Sequence, residues 1–89
     1  MGKLVASIKV FPEDIVISKE KLEEGIKKVI PEDASIYRID EEPIAFGLVA
    51  LIVHVIIPET DGAKLNEIEE AFRKVKGISE IETLLVRKI

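Results

Sequence analysis

The sequence predicts an α+β fold of ferredoxin-like type, a βαββαβ sandwich with two helices on one face of a four-stranded antiparallel sheet. Three observations predict it. Two segments carry apolar residues at helical spacing: Leu22, Ile26, Val29 and Ile30 in the first, Leu65, Ile68, Phe72 and Val75 in the second. Four other segments read as strands, and the six elements run in the order β-α-β-β-α-β. The third strand segment, Leu48 to Ile57, is apolar on both faces, as suits a central position. In this topology the first and third strands are central and the second and fourth are edges.

Each element has its own justification. Lys3 to Pro12 alternates, with Leu4, Ala6, Ile8 and Val10 on one face and Lys3, Ser7 and Lys9 on the other. Period two means a strand, and Pro12 closes it. After the connector Glu13 to Ile17, which ends apolar, Ser18 is placed to cap the first helix. Glu23–Lys27 and Glu24–Lys28 support that helix at i,i+4, and Pro31 ends it by pushing Ile30 out of the α region. Ala34 to Glu41 reads as the second strand, interrupted by Pro43, with Gly47 opening the third. Pro58 to Gly62 is a turn cluster. In the second helix Glu69–Arg73 and Glu70–Lys74 pair at i,i+4, and Gly77 stands where a C′ glycine would end it. Ile78 to Ile89 is the last strand, with Glu80 and Glu82 on one face and Ile81, Thr83 and Leu85 on the other.

The 89 residues predict one domain, 1–89, with one core. Hydrophobic residues at 47% against 34% charged describe a chain that can offset the entropy of folding. The net charge of −4 argues against direct nucleic-acid binding, which calls for a basic excess. No cysteine is present, which excludes disulfides, thiolate metal sites and cysteine nucleophiles. No signal-like segment or membrane-length apolar run occurs, so the expectation is a soluble cytoplasmic protein with no membrane partner. Fifteen isoleucines with abundant Lys and Glu lean toward a thermophilic source.

Few residues point to covalent chemistry. His54 is the lone histidine, and a metal site needs several convergent ligands, so it reads as a histidine at the surface or core edge. Asp40, Glu41 and Glu42 read as a solvated turn between strands, with a divalent cation or an arginine patch as the alternative partner. Glu80 and Glu82 keep an edge strand wet. The scattered glycines match no phosphate loop, and no Gly-x-Ser-x-Gly occurs. The expectation is therefore a protein that is not an enzyme and carries neither metal nor cofactor.

Two features remain. Phe46, in Pro43-Ile44-Ala45-Phe46-Gly47, is either a core anchor beside a bend-forming glycine or an aromatic exposed at a sheet end. The C-terminus, Leu84-Leu85-Val86-Arg87-Lys88-Ile89, is a cationic tail on a frayed strand end, the ordinary state of which is simply solvated. With the first-strand ending Ile8-Lys9-Val10-Phe11-Pro12 and the segment Ile39 to Leu51, these features resemble the archaeal elongation factor 1-beta family. The resemblance covers essentially the whole chain; the middle segment is its most specific part and the helices are generic.

The resemblance implies a guanine-nucleotide exchange factor whose partner is elongation factor 1-alpha. In eukaryotic relatives a penultimate lysine enters the partner's magnesium site, and Lys88 stands in that place. An aromatic of a Phe-Gly pair touches the partner, and Phe46 stands there, expected at the sheet end near the C-terminus and at least partly accessible. The lysines that follow this pair in the eukaryotic domain are replaced by Val49 and Ala50, so their contacts do not carry over. The N-terminal extension that anchors the eukaryotic subunit is not expected either. The alternative from the bare fold is a regulatory domain that binds a small ligand such as an amino acid. A hydrolase of acylphosphatase type is disfavoured, because Phe11 to Ser18 holds no arginine or glycine to cradle a phosphate.

Overall fold

The computed structural model describes residues 2–59 and 63–89. Its elements are β1 (Lys3–Pro12), α1 (Lys19–Val29), β2 (Ser35–Pro43), a 3₁₀ turn (Ala45–Gly47), β3 (Val49–Pro58), α2 (Ala63–Arg73) and β4 (Ile78–Lys88). The sheet order is β2-β3-β1-β4, antiparallel throughout, so β1 and β3 are central as their sequences predict.

The period-two pattern of β1 sends Ala6, Ile8 and Val10 to the helix face, where they are fully buried. β3 contributes Leu51, Val53, Val55 and Ile57 to the same face, and the helices close over it with Leu22, Ile26, Ile68 and Phe72. Val75 is buried, while Val29 and Leu65 are half-buried against this core. The Ser18 side chain accepts a hydrogen bond from the Lys21 N–H at 3.2 Å and so caps α1. Ile30 is extended, with φ −67° and ψ 133°, as its position before Pro31 requires.

The structure corrects the sequence reading in five places. β2 continues to Pro43, because its ladder with β3 extends to the pair Pro43–Val49. The acidic run Asp40–Glu42 therefore lies in a strand and is not a turn. β3 starts at Val49, since Ala45–Gly47 turns before it. Gly77 has φ 100°, but it sits beyond α2 in the turn closed by the Ile78 N–H on the Val75 carbonyl at 3.3 Å. A bulge in β4 moves Leu85 off the face of Ile81 and Thr83: Thr83 lies opposite Ile8, but Leu85 lies opposite Ser7 on the open face. Finally, the C-terminus is not frayed; β4 pairs through Lys88, and the Ile89 N–H donates to the Lys3 carbonyl at 3.1 Å. Of the expected turn cluster, Thr60 to Gly62 lies outside the described residues.

Candidate partner-docking site

The open face of the sheet carries a polar chain. Arg38, Asp40 and His54 face Ser7 across β2, β3 and β1, because Ser7 lies opposite His54 and His54 opposite Arg38. The carboxylate of Asp40 can only accept, so His54 Nε2–H donates to it at 2.9 Å. His54 Nδ1 then accepts from the Ser7 hydroxyl at 2.8 Å. The Asp40 carboxyl is held below the usual carboxylate range, first by the His54 hydrogen bond and further by the Arg38 charge, against the effect of partial burial.

Serine, histidine and aspartate in series suggest a nucleophile, but the surroundings give them nothing to do. Ser7 is buried mid-strand, and the backbone N–H groups of β1 are engaged by ladders on both sides, leaving no donors for an oxyanion. The chain of bonds satisfies polar groups on a half-covered sheet face. The rest of the acidic run is neutralised too: Glu42 pairs with Lys9 on the open face and Glu41 with Lys19 on the helix face. Among the described residues no group of three His, Asp or Glu side chains is placed to hold a metal ion.

Phe46 is different. It is 93% exposed, and its backbone has φ 61° and ψ 34°. It is the one non-glycine residue with positive φ among the described residues. Phe46 and Gly47 (φ 78°) form the centre of the turn closed by the Leu48 N–H on the Ala45 carbonyl at 3.2 Å. A turn with two positive φ values suits Asn-Gly; a bulky aromatic in its first place is strained. The fold thus bears two costs at one residue, an exposed ring and a left-handed backbone. Strain of this kind collects where a surface is used.

Phe46 is not alone at this end of the molecule. The connector between β1 and α1 makes a turn in which the Ile17 N–H donates to the Asp14 carbonyl at 3.3 Å, and the Asp14 side chain accepts from the Val16 N–H at 3.4 Å. Ile15 and Val16 ride at its tip, and both are exposed. The Ile15 Cγ2 lies 3.7 Å from where a Cβ on Gly47 would stand, so Ile15 rests against the Phe46-Gly47 turn. Phe46, Ile15 and Val16 are thus three exposed apolar residues carried by two neighbouring loops. The sequence reading missed Ile15 and Val16, although two β-branched residues between Asp14 and Ser18 were a visible signal.

Lys88 lies elsewhere. It is opposite Leu4 at the start of β1, whereas the Phe46 turn precedes β3, whose Leu51 is opposite Val10 near the end of β1. The expectation that Phe46 sits near the C-terminus is therefore corrected, because antiparallel pairing sends the β2–β3 turn and the end of β4 to opposite ends of the sheet. The Lys88 side chain is 73% exposed and its Nζ lies 3.0 Å from a Glu59 carboxylate oxygen. Glu59 is a third residue that the sequence did not single out; it follows β3 and nothing in its local pattern announces the contact. An open groove of about 460 Å³, between α1 and the α2–β4 turn, has Ile17, Gly25 and Val75 at its base and Glu13, Lys21 and Lys28 at its rim.

Comparison with known proteins agrees with this architecture. The family profile described as the EF-1 guanine nucleotide exchange domain matches residues 5–89. A protein named Elongation factor 1-beta from Methanothermobacter thermautotrophicus is 44% identical over 89 residues, covering 100% of this chain and 99% of its own length. Its namesake from Staphylothermus marinus is 40% identical with the same coverage. Among solved structures, the ACT domain of a GTP pyrophosphokinase from Chlorobium tepidum superposes with a TM-score of 0.63 at 26% identity, covering 92% of this chain and 99% of that one.

Proposed function

Since the chain belongs to the EF-1 guanine nucleotide exchange domain family and is a translation elongation factor of that kind, we propose that it accelerates GDP release from elongation factor 1-alpha. Phe46 is the docking residue and Lys88 the residue that disturbs the magnesium site. The whole-length family match carries this reading. Two features of the molecule support it: a strained, exposed aromatic at one end and a lightly held lysine at the other.

The work required is physical and breaks no covalent bond. A GTPase holds its nucleotide through phosphate contacts and a bridging Mg²⁺. Lys88 brings a compact positive charge on a long stem, at the outer edge of the last strand, where it can reach into a neighbouring protein without deforming the sheet. A cation delivered to the metal's place opposes the metal, and the diphosphate loses a ligand. Phe46 and its apolar neighbours supply binding energy at a distance from the nucleotide. For exchange, the chain must bind the open, nucleotide-poor partner better than the closed one, since only differential affinity shifts the equilibrium.

The test is GDP release from elongation factor 1-alpha across a Mg²⁺ series, with wild type and Lys88→Ala. The variant is expected to fold normally, to bind nearly as well and to release GDP much more slowly. The difference should shrink as Mg²⁺ becomes scarce. Equal rates at millimolar Mg²⁺ would remove Lys88 from the mechanism. The likeness to the ACT domain and the groove beside α1 favour a second reading, a small-ligand regulatory domain. A rise in melting temperature with free amino acids would support it.

A further inference from the structure

The two edges of the sheet are built differently. β2 carries Arg38, Asp40, Glu41 and Glu42, all tied into ion pairs, a bulge at Tyr37 and a closing proline. These are devices that discourage strand addition. β4 has no proline between Ile78 and Lys88, and its apolar run is open to solvent: Leu84 is 45% exposed and Leu85 54%, with Val86 beside them. Its outer edge presents eleven residues of backbone without a neighbouring strand among the described residues.

We propose that β4 pairs with β4 of a second copy, antiparallel about a two-fold axis, so that two four-stranded sheets join. Charge complementarity selects the second copy. The acidic residues of β4, Glu80 and Glu82, lie near its start, and the basic ones, Arg87 and Lys88, at its end. Antiparallel self-pairing sets acid against base twice, whereas a parallel arrangement would set like against like. Glu80, Glu82, Leu85 and Arg87 also share the open face, being opposite Phe11, Lys9, Ser7 and Val5. The register that places Glu80 opposite Arg87 of the second copy places Glu82 opposite its Leu85, and on the other face Ile81 opposite its Val86. Among the described residues Glu80, Glu82 and Arg87 have no ion-pair partner within the chain. The pairing would therefore break no pair that these three residues already make.

The experiment is sedimentation equilibrium of the intact chain from low micromolar to near-millimolar concentration, with circular dichroism to confirm that each variant folds. Wild type should pass from the 9.9 kDa monomer to twice that mass. Leu85→Lys should abolish the dimer. Arg87→Glu alone, and Glu80→Arg with Glu82→Arg, should each weaken it about tenfold, because like charges then face each other. Mixed in equal amounts, the two charge variants should dimerise with each other. A chain that stays monomeric throughout overturns the proposal. So does a dimer that ignores Leu85→Lys, or charge variants that fail to pair when mixed, since the contact would then lie elsewhere or with another kind of partner.

Discussion

Phe46 and Lys88 stand at opposite ends of the sheet, separated by the stretch of β1 from Val10 to Leu4 and the turn beyond it. The six residue steps from Leu4 to Val10 alone span roughly 20 Å. A partner that touches both must lie along the long dimension of the molecule, which measures 42 Å. Sites this far apart with no shared contacts act independently. Truncating both residues to Ala should therefore lower the transition-state term for GDP release by the sum of the single effects, within about 0.5 kcal/mol. A larger deviation in a double-mutant cycle on exchange rates would mean that the two ends communicate.

The turn at Phe46 offers a sharper variant than alanine. Glycine accepts φ 61° without strain, so Phe46→Gly should stabilise the free chain by about 1 kcal/mol, raising Tm by several degrees. The same change should weaken partner binding by about 2 kcal/mol, because the aromatic anchor is gone. Thermal unfolding and a binding titration check the two halves. A loss of stability together with unchanged affinity would make Phe46 a structural residue.

Glu59 holds Lys88 in the free chain. An exposed pair of this kind contributes about 0–1 kcal/mol, so opening it is a small obstacle to docking. Glu59→Ala should remove that obstacle and raise the exchange rate up to about fivefold, with folding unchanged. The readout is GDP release at fixed Mg²⁺, and a slower rate would show that Glu59 positions the lysine instead of restraining it.

The Asp40–His54 bond has a pH signature. A carboxyl whose folded-state pKa is lowered stabilises the fold above its unfolded pKa, near pH 4, and loses that contribution as pH falls through the folded value. Wild type should therefore lose stability as pH falls below about 4, and Asp40→Asn should show a shallower acid limb. Thermal melts in steps of pH check this. Superimposable acid limbs would show that Asp40 gains nothing from His54.

Local pattern determined the element order, the central places of β1 and β3, the Ser18 cap and the end of α1 at Ile30, because each depends on residues within a few positions of one another. Apolar periodicity likewise marked Leu22, Ile26, Ile68 and Phe72 as core, since burial follows from which face a residue occupies. Only the tertiary structure decided matters that join distant segments. A bulge in β4, set by its pairing with β1, carried Leu85 to the open face. The contact between Ile15 and the Phe46-Gly47 turn, the bond from His54 to Ser7 and the pair of Lys88 with Glu59 link residues tens of positions apart. No period in the sequence encodes such contacts; they arise when antiparallel strands bring remote residues into register. The exposure of Phe46 was left open for the same reason. An aromatic beside a glycine can turn inward or outward, and it is the positive φ at Phe46 itself, imposed by closing the β2–β3 turn, that accompanies its projection into solvent.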